Sequence, residues 1–202
     1  MQAFDIDFTW HRHKQGYRLK GGRVVAKGDE LEWYRPLDDY STLYKLFADE
    51  CRSEKGALEF IKKYGPLLTS PGALIETRAL GLPTLMSTIG DLVSEVIAQA
   101  QSMKKQLTGR TVPQIPLTSI EAVLIPDGST VRLKLRPSRL IDAIWLQMAQ
   151  SVSSGRAVRA CQRCGTWFEV GPGSRPPRRL DALFCSDQHR IEFNSLARSK
   201  KS

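Results

Sequence analysis

Three of the chain's four cysteines and one of its three histidines fall in two short runs, CQRC at residues 161–164 and CSDQH at residues 185–189. The pattern is Cys161-x2-Cys164, a loop of 20 residues, then Cys185-x3-His189. Paired donors separated by a loop are the usual sequence form of a structural zinc site, where thiolates and imidazole complete a tetrahedron. Two distant stretches must then meet at one point, which restricts the fold of everything between them. The expectation is one structural Zn2+ held by Cys161, Cys164, Cys185 and His189.

Each half of the pattern has a local reason. Two residues between Cys161 and Cys164 let a tight turn bring both sulfurs together, and Gly165 supplies a backbone conformation that a Cβ would resist. Amide groups around such a turn can donate to the thiolates. Residues four apart, such as Cys185 and His189, lie on one face of a helix. Ser186 is a candidate cap for that helix. DQHRIEFNSLARSKK reads as a polar helix with Ile191 or Phe193 and Leu196 turned inward, and Phe168 and Phe184 complete a miniature core. A knuckle followed by helix-borne ligands is the order of a treble-clef finger. A redox-active or incidental Cys-x2-Cys is one alternative. Three cysteines around a catalytic zinc with an open fourth position is another. No His-Glu-x-x-His or His-x-Glu motif accompanies the cysteines, so the closed site without catalytic residues is the expectation.

The run from LIDAIWLQMAQ through CQRCGTWFEV to FCSDQHRIEFNSLAR resembles the CGNR-type zinc finger of bacterial stress-induced transcriptional regulators, over residues 138–199. That resemblance implies an α-rich N-terminal domain, a helix, and a terminal treble clef implicated in DNA binding. It puts Cys161, Cys164 and Cys185 on cysteine ligands and His189 where the family has a fourth cysteine. In place of the family's Cys-Gly-Asn-Arg stand Gln188, His189, Arg190 and Ile191.

Charge points the same way. The chain carries a net +9 over 202 residues, and residues 151–202 hold 10 Lys/Arg against 4 Asp/Glu. Two thirds of the excess therefore sits in the segment with the paired cysteines, and nucleic acid is the polyanion such a segment suits. Arg156, Arg159 and Arg163 lead into the first cysteine pair. Arg175, Arg178 and Arg179 lie in GPGSRPPRRL, a loop stiffened by Pro176 and Pro177. Arg190, Arg198, Lys200 and Lys201 lie on or after the last helix. Arginine suits bidentate phosphate contacts, and Gln188, Arg190 and Asn194 are candidates to reach base edges. The expectation is a bacterial DNA-binding transcriptional regulator, with RNA as a further possible target. A protein-interaction or structural zinc module, docking through Trp167 and Phe168, is the alternative. A treble-clef nuclease is a third reading.

The rest of the chain reads as α+β. Residues 1–137 form an expected core domain with hairpins and helices, residues 138–155 a connecting helix packed on it, and residues 156–202 the finger. FDIDFTW alternates Phe4, Ile6, Phe8 and Trp10, the period of a half-buried strand. Gly21-Gly22 marks a hairpin. TLYKLFADEC and GALEFIKKYG read as helices, the second ended by Gly65-Pro66. Residues 65–86 look like a connector. A helix from Ile89 to Gly109, a hairpin around PDG, and a helix begun by Ser138 and followed by Gly155 complete the reading. His11 and His13 are expected at the surface, and Cys51 half-buried and inert. No apolar run approaches the ~20 residues that span a bilayer, and MQAFDIDFTWHRH lacks the pattern of a secretion signal. The expected location is cytoplasmic.

Overall fold

The computed structural model describes residues 5–40, 42–69, 91–108, 114, 119–154, 156–172, 174 and 177–199. The fold is mixed α+β. Two compact units divide the chain, residues 4–149 and residues 150–202. Among the described residues, no helix is long and apolar enough to cross a membrane.

The first unit opens with five short strands: β1 (Asp5–Ile6), β2 (Trp10–His13), β3 (Tyr17–Lys20), β4 (Arg23–Ala26) and β5 (Leu31–Tyr34). The single strand expected from FDIDFTW is two. β1 lies parallel to β8 (Thr130–Pro137), whereas β2 pairs antiparallel with β5. Phe4 lies outside the described residues. The chain changes partner because the Trp10 indole is fully buried and donates to the Pro66 carbonyl at 2.9 Å, which draws β2 towards the helices. β3 and β4 form the expected hairpin, with Gly21 and Gly22 both at positive φ (56° and 73°), as a two-residue turn matched to strand twist requires. β6 (Asp91–Leu92) adds to the far side of β4.

Helices α1 (Pro36–Asp39), α2 (Leu43–Glu50) and α3 (Glu54–Tyr64) follow β5. Ser53 caps α3 by accepting from the Gly56 N–H. α3 stops at Gly65, whose φ is 84° and whose N–H returns to the Ile61 carbonyl at 2.8 Å. α4 (Val93–Thr108) carries the expected apolar stripe, with Val96, Ala100 and Met103 buried. Ile89 and Gly109, its expected limits, and residues 70–86 of the expected connector lie outside the described residues. β7 (Ile120–Asp127) and β8 make the hairpin around PDG.

α5 (Leu140–Ser153) starts one position later than Ser138 suggested for its cap. The Arg139 carbonyl accepts from the Ala143 N–H, and the Arg139 guanidinium grips the buried Asp142 carboxylate at 2.7 Å. Every side chain from Leu140 to Met148 is buried, so this stretch of the helix is enclosed all round in the manner of a core helix, while Val152 in the last turn is exposed. Its polar members are paired: Gln147 donates to the Tyr40 carbonyl and accepts from the Tyr44 N–H. The helix is tied to its surroundings by the Ile141 N–H, which donates to the Leu67 carbonyl at 3.1 Å, and by the Trp145 indole, which donates to Gln99 at 3.2 Å.

Two expectations for single residues fail. His11 and His13 are buried, because β2 is covered on both faces, with the His11 ring against Trp10 and Trp33. Cys51 is fully rather than half buried, and burial pushes its thiol pKa up, which leaves it inert.

Candidate metal centre

The second unit is built around one antiparallel pair, β9 (Ala157–Ala160) with β10 (Trp167–Val170), and one helix, α6 (Asp187–Ser199). Between the strands, the chain turns tightly. The Gly165 N–H donates to the Cys161 carbonyl at 2.8 Å, with Gly165 at a φ of 73°, and the Cys161 N–H donates to the Thr166 carbonyl at 3.0 Å. This turn holds Cys161 and Cys164 side by side. The second pair rides on the start of α6. Ser186 caps the helix, its hydroxyl accepting from the His189 N–H at 3.2 Å and its carbonyl from the Arg190 N–H at 3.2 Å. Cys185 therefore sits just before the first turn and His189 on it.

The Gln162 N–H donates to the Leu183 carbonyl at 3.0 Å and ties the two halves together. The ligand atoms of Cys161, Cys164, Cys185 and His189 then all lie within 4.8 Å of one another. Cys164 and Cys185 have their sulfurs 3.7 Å apart. His189 presents Nδ1, 3.8 Å from the Cys161 sulfur and 2.9 Å from that of Cys185. A tetrahedral ion with metal–sulfur bonds of ~2.3 Å needs donor atoms about 3.8 Å apart. The four residues are placed so that they could hold a metal ion, with donor separations between 2.9 and 4.8 Å on either side of that value.

Electrostatics around the sulfurs are uneven. Burial pushes the Cys161 thiol up, but N–H groups of Cys185, Cys164 and Arg163 outweigh it and bring its pKa down to about 6. Cys185 goes the other way, raised by burial and by the neighbouring sulfurs of Cys164 and Cys161. Three thiolates at this separation repel one another, and a cation at their centre removes the conflict.

The cations predicted to meet phosphate occupy different environments. Arg178 is part of the frame: its guanidinium stacks on the Phe168 ring, 5.5 Å from the centroid, and donates to the Cys185 carbonyl. Its N–H donates to the buried Ser174 hydroxyl at 2.9 Å, and its carbonyl accepts from the Gly171 N–H at 2.8 Å. Arg163 faces Glu192 on α6 at 3.3 Å, and Arg156 faces the buried Glu169 at 3.6 Å. Arg159 is exposed on β9. Arg179 and Arg190 line one groove of about 570 Å³ beside the start of α6 and meet Asp181 and Asp187, each at 3.1 Å. Arg175, Pro176, Lys200 and Lys201, and the side chain of Arg198, lie outside what is described. Ser174 and Glu192 have no signature in the sequence, since each acts through a contact that only the folded loop and helix create.

Phe168 and Val170 are buried with Cys161, and Ala182, Phe184 and Cys185 pack against them. Of the residues expected to turn inward on α6, Phe193 and Leu196 share the face of the ligand His189, whereas Ile191 points away from it. Phe193 meets the miniature core, 5.2 Å from the Phe184 ring, and is 37% exposed, whereas Leu196 is 50% and Ile191 59% exposed. No family model matches this chain, nor does any curated protein or solved structure.

Proposed function

We propose that the chain is a zinc-dependent nucleic-acid-binding protein whose residues 156–202 form a treble-clef-like finger. Of the two nucleic acids, DNA is the favoured target, in the role of a bacterial transcriptional regulator. The observation that carries this reading is coincidence: the Cys3His cluster and two thirds of the net positive charge belong to the same 52 residues. Three sulfurs and an imidazole are the donor set zinc takes in structural sites. The chain's own residues hold such an ion between the turn at Gly165 and the start of α6. Bound there, zinc supplies folding energy, about 10–16 kcal/mol of apparent binding free energy in finger peptides. A module with three buried core side chains among its described residues needs it. Arg159, Arg179 and Arg190, carried on that frame, are then available to phosphates. The treble-clef order of turn and helix, and the resemblance of residues 138–199 to the CGNR-type finger, support DNA over other polyanions.

The test is binding of the zinc-loaded full chain to a DNA duplex, and to RNA of the same sequence, across ~50 to ~200 mM salt. Each neutralised phosphate contributes about −0.9 to the slope of log affinity against log salt. Three arginine contacts give a slope near −3, and replacing Arg179 and Arg190 by alanine reduces it by about 2. Binding that ignores salt, or no binding at low salt, contradicts the reading. A second reading, docking of a partner protein, is favoured by Leu180, Leu183 and Leu196, all exposed on this unit. It predicts no nucleic-acid binding and a partner interaction indifferent to Arg179 and Arg190.

A further inference from the structure

α6 has 13 residues, about 20 Å of helix, and its outward face is unusual for a protein-docking surface. Successive residues are ~100° apart around the axis, so Ile191 points about 200° away from the ligand His189. Within about 60° of Ile191 come positions 187, 188, 194, 195 and 198. Those residues are Asp187, Gln188, Asn194, Ser195 and Arg198. Asp187, Gln188, Ile191, Asn194 and Ser195 are all exposed. A helix laid in a protein groove presents apolar anchors at i, i+3, i+4 and i+7. This face has one, and the apolar Phe193 and Leu196 project from the other side. Around Ile191 stand two amides, a hydroxyl and, at Asp187 and Arg198, one charge of each sign, side-chain types that can read base edges.

Resting on the nucleic-acid reading above, we infer that α6 enters the major groove of duplex DNA with Ile191 and Asn194 as its sequence-reading pair. The two are neighbours at i and i+3. Ile191 offers an aliphatic contact to a thymine methyl, and the Asn194 amide matches the N6 and N7 edge of adenine. Gln188 is less suited, since its amide donates to Glu192 at 2.9 Å. Arg190 lies off the face and meets Asp187, so it flanks the groove where phosphates run. Charge supports DNA as the occupant: the unit holds 10 Lys/Arg against 4 Asp/Glu over residues 151–202.

The experiment selects duplex sites from a random pool with the zinc-loaded full chain. Each thymine of the enriched site is then replaced by deoxyuridine, which removes only the 5-methyl group. One thymine is expected to matter, its replacement weakening binding by about fourfold, the value of one methyl contact. Ile191→Ala should bind the thymine site about fourfold less well and no longer distinguish the two bases. Asn194→Ala should relax the preference for adenine beside it. Both variants keep their zinc, because these side chains face away from the ligands. DNA binding without enrichment, preference for RNA or single strands, or an enriched site to which both substitutions are indifferent overturns this inference and leaves the nucleic-acid reading standing. Failure of the wild type to bind any nucleic acid at low salt overturns both.

Discussion

Arg178 and Arg179 are adjacent in the chain, yet one is a brace and the other a surface charge. Arg178 lies on Phe168 and bonds the carbonyl of the ligand Cys185, whereas the Arg179 side chain is 87% exposed. Partners that orient ligands are worth 10–100-fold in metal affinity. Arg178→Ala should therefore weaken metal binding by about that factor in competition with a chromogenic chelator, and Arg179→Ala should leave it unchanged. Equal affinities in the two variants contradict the assignment. Neither role is legible in PPRRL, because the brace depends on a backbone carbonyl seven residues later. The ligands themselves are legible, since thiols and imidazole at close paired spacing announce their chemistry directly. His11 shows the opposite limit. Its ring is fully buried with no hydrogen-bond partner for either nitrogen among the described residues, and burial, with the nearby His13, lowers its pKa to about 4 from 6.5. The unfolded chain takes up this proton near pH 6.5 and the folded chain resists it. The stability His11 contributes is thus complete above about 6.5 and is lost as pH falls towards about 4. Between about pH 7.5 and 5 the wild type should lose about 1–2 kcal/mol more than His11→Phe in urea unfolding. Identical losses would remove this account of His11.

At the scale of elements, hairpins and helix ends are legible in the sequence where glycine or a cap marks them. Gly21-Gly22, Ser53, Gly65 and Ser186 all stand where chain geometry requires them. Gly65 has a second role that its neighbours in the chain do not reveal. A Cβ at Gly65 would lie 2.2 Å from the His11 carbonyl oxygen, so the end of α3 passes directly against β2. Gly65→Ala combines that clash with an unfavourable positive φ and should cost at least about 2 kcal/mol, seen as a lower denaturant midpoint. An unchanged midpoint rules out the close approach. α5 is legible as a helix but not as one buried on every side from Leu140 to Met148, because a one-sided apolar stripe does not reveal that Asp142 and Gln147 are buried with their partners. α6 misleads in the reverse sense. Its Ile191 looks like part of a core stripe, yet it points away from the ligand face and is 59% exposed.

At the scale of the molecule, the charge gradient and the cysteine spacing are both plain in the order of residues, and they fall on one of the two units. The first unit is different. Its core joins strands and helices from residues 8 to 148, contacts too distant in sequence for periodicity to foretell. The whole account depends on a metal ion joining the turn at Gly165 to the start of α6. The most direct test is the metal content of the purified full chain, in wild type, Cys164→Ser and His189→Ala, after dialysis against a weak chelator. The account predicts one zinc per wild-type chain, little or none in either variant, and disorder confined to residues 150–202 when the ion is lost. A wild-type chain that retains no metal and still keeps residues 150–202 folded would contradict it.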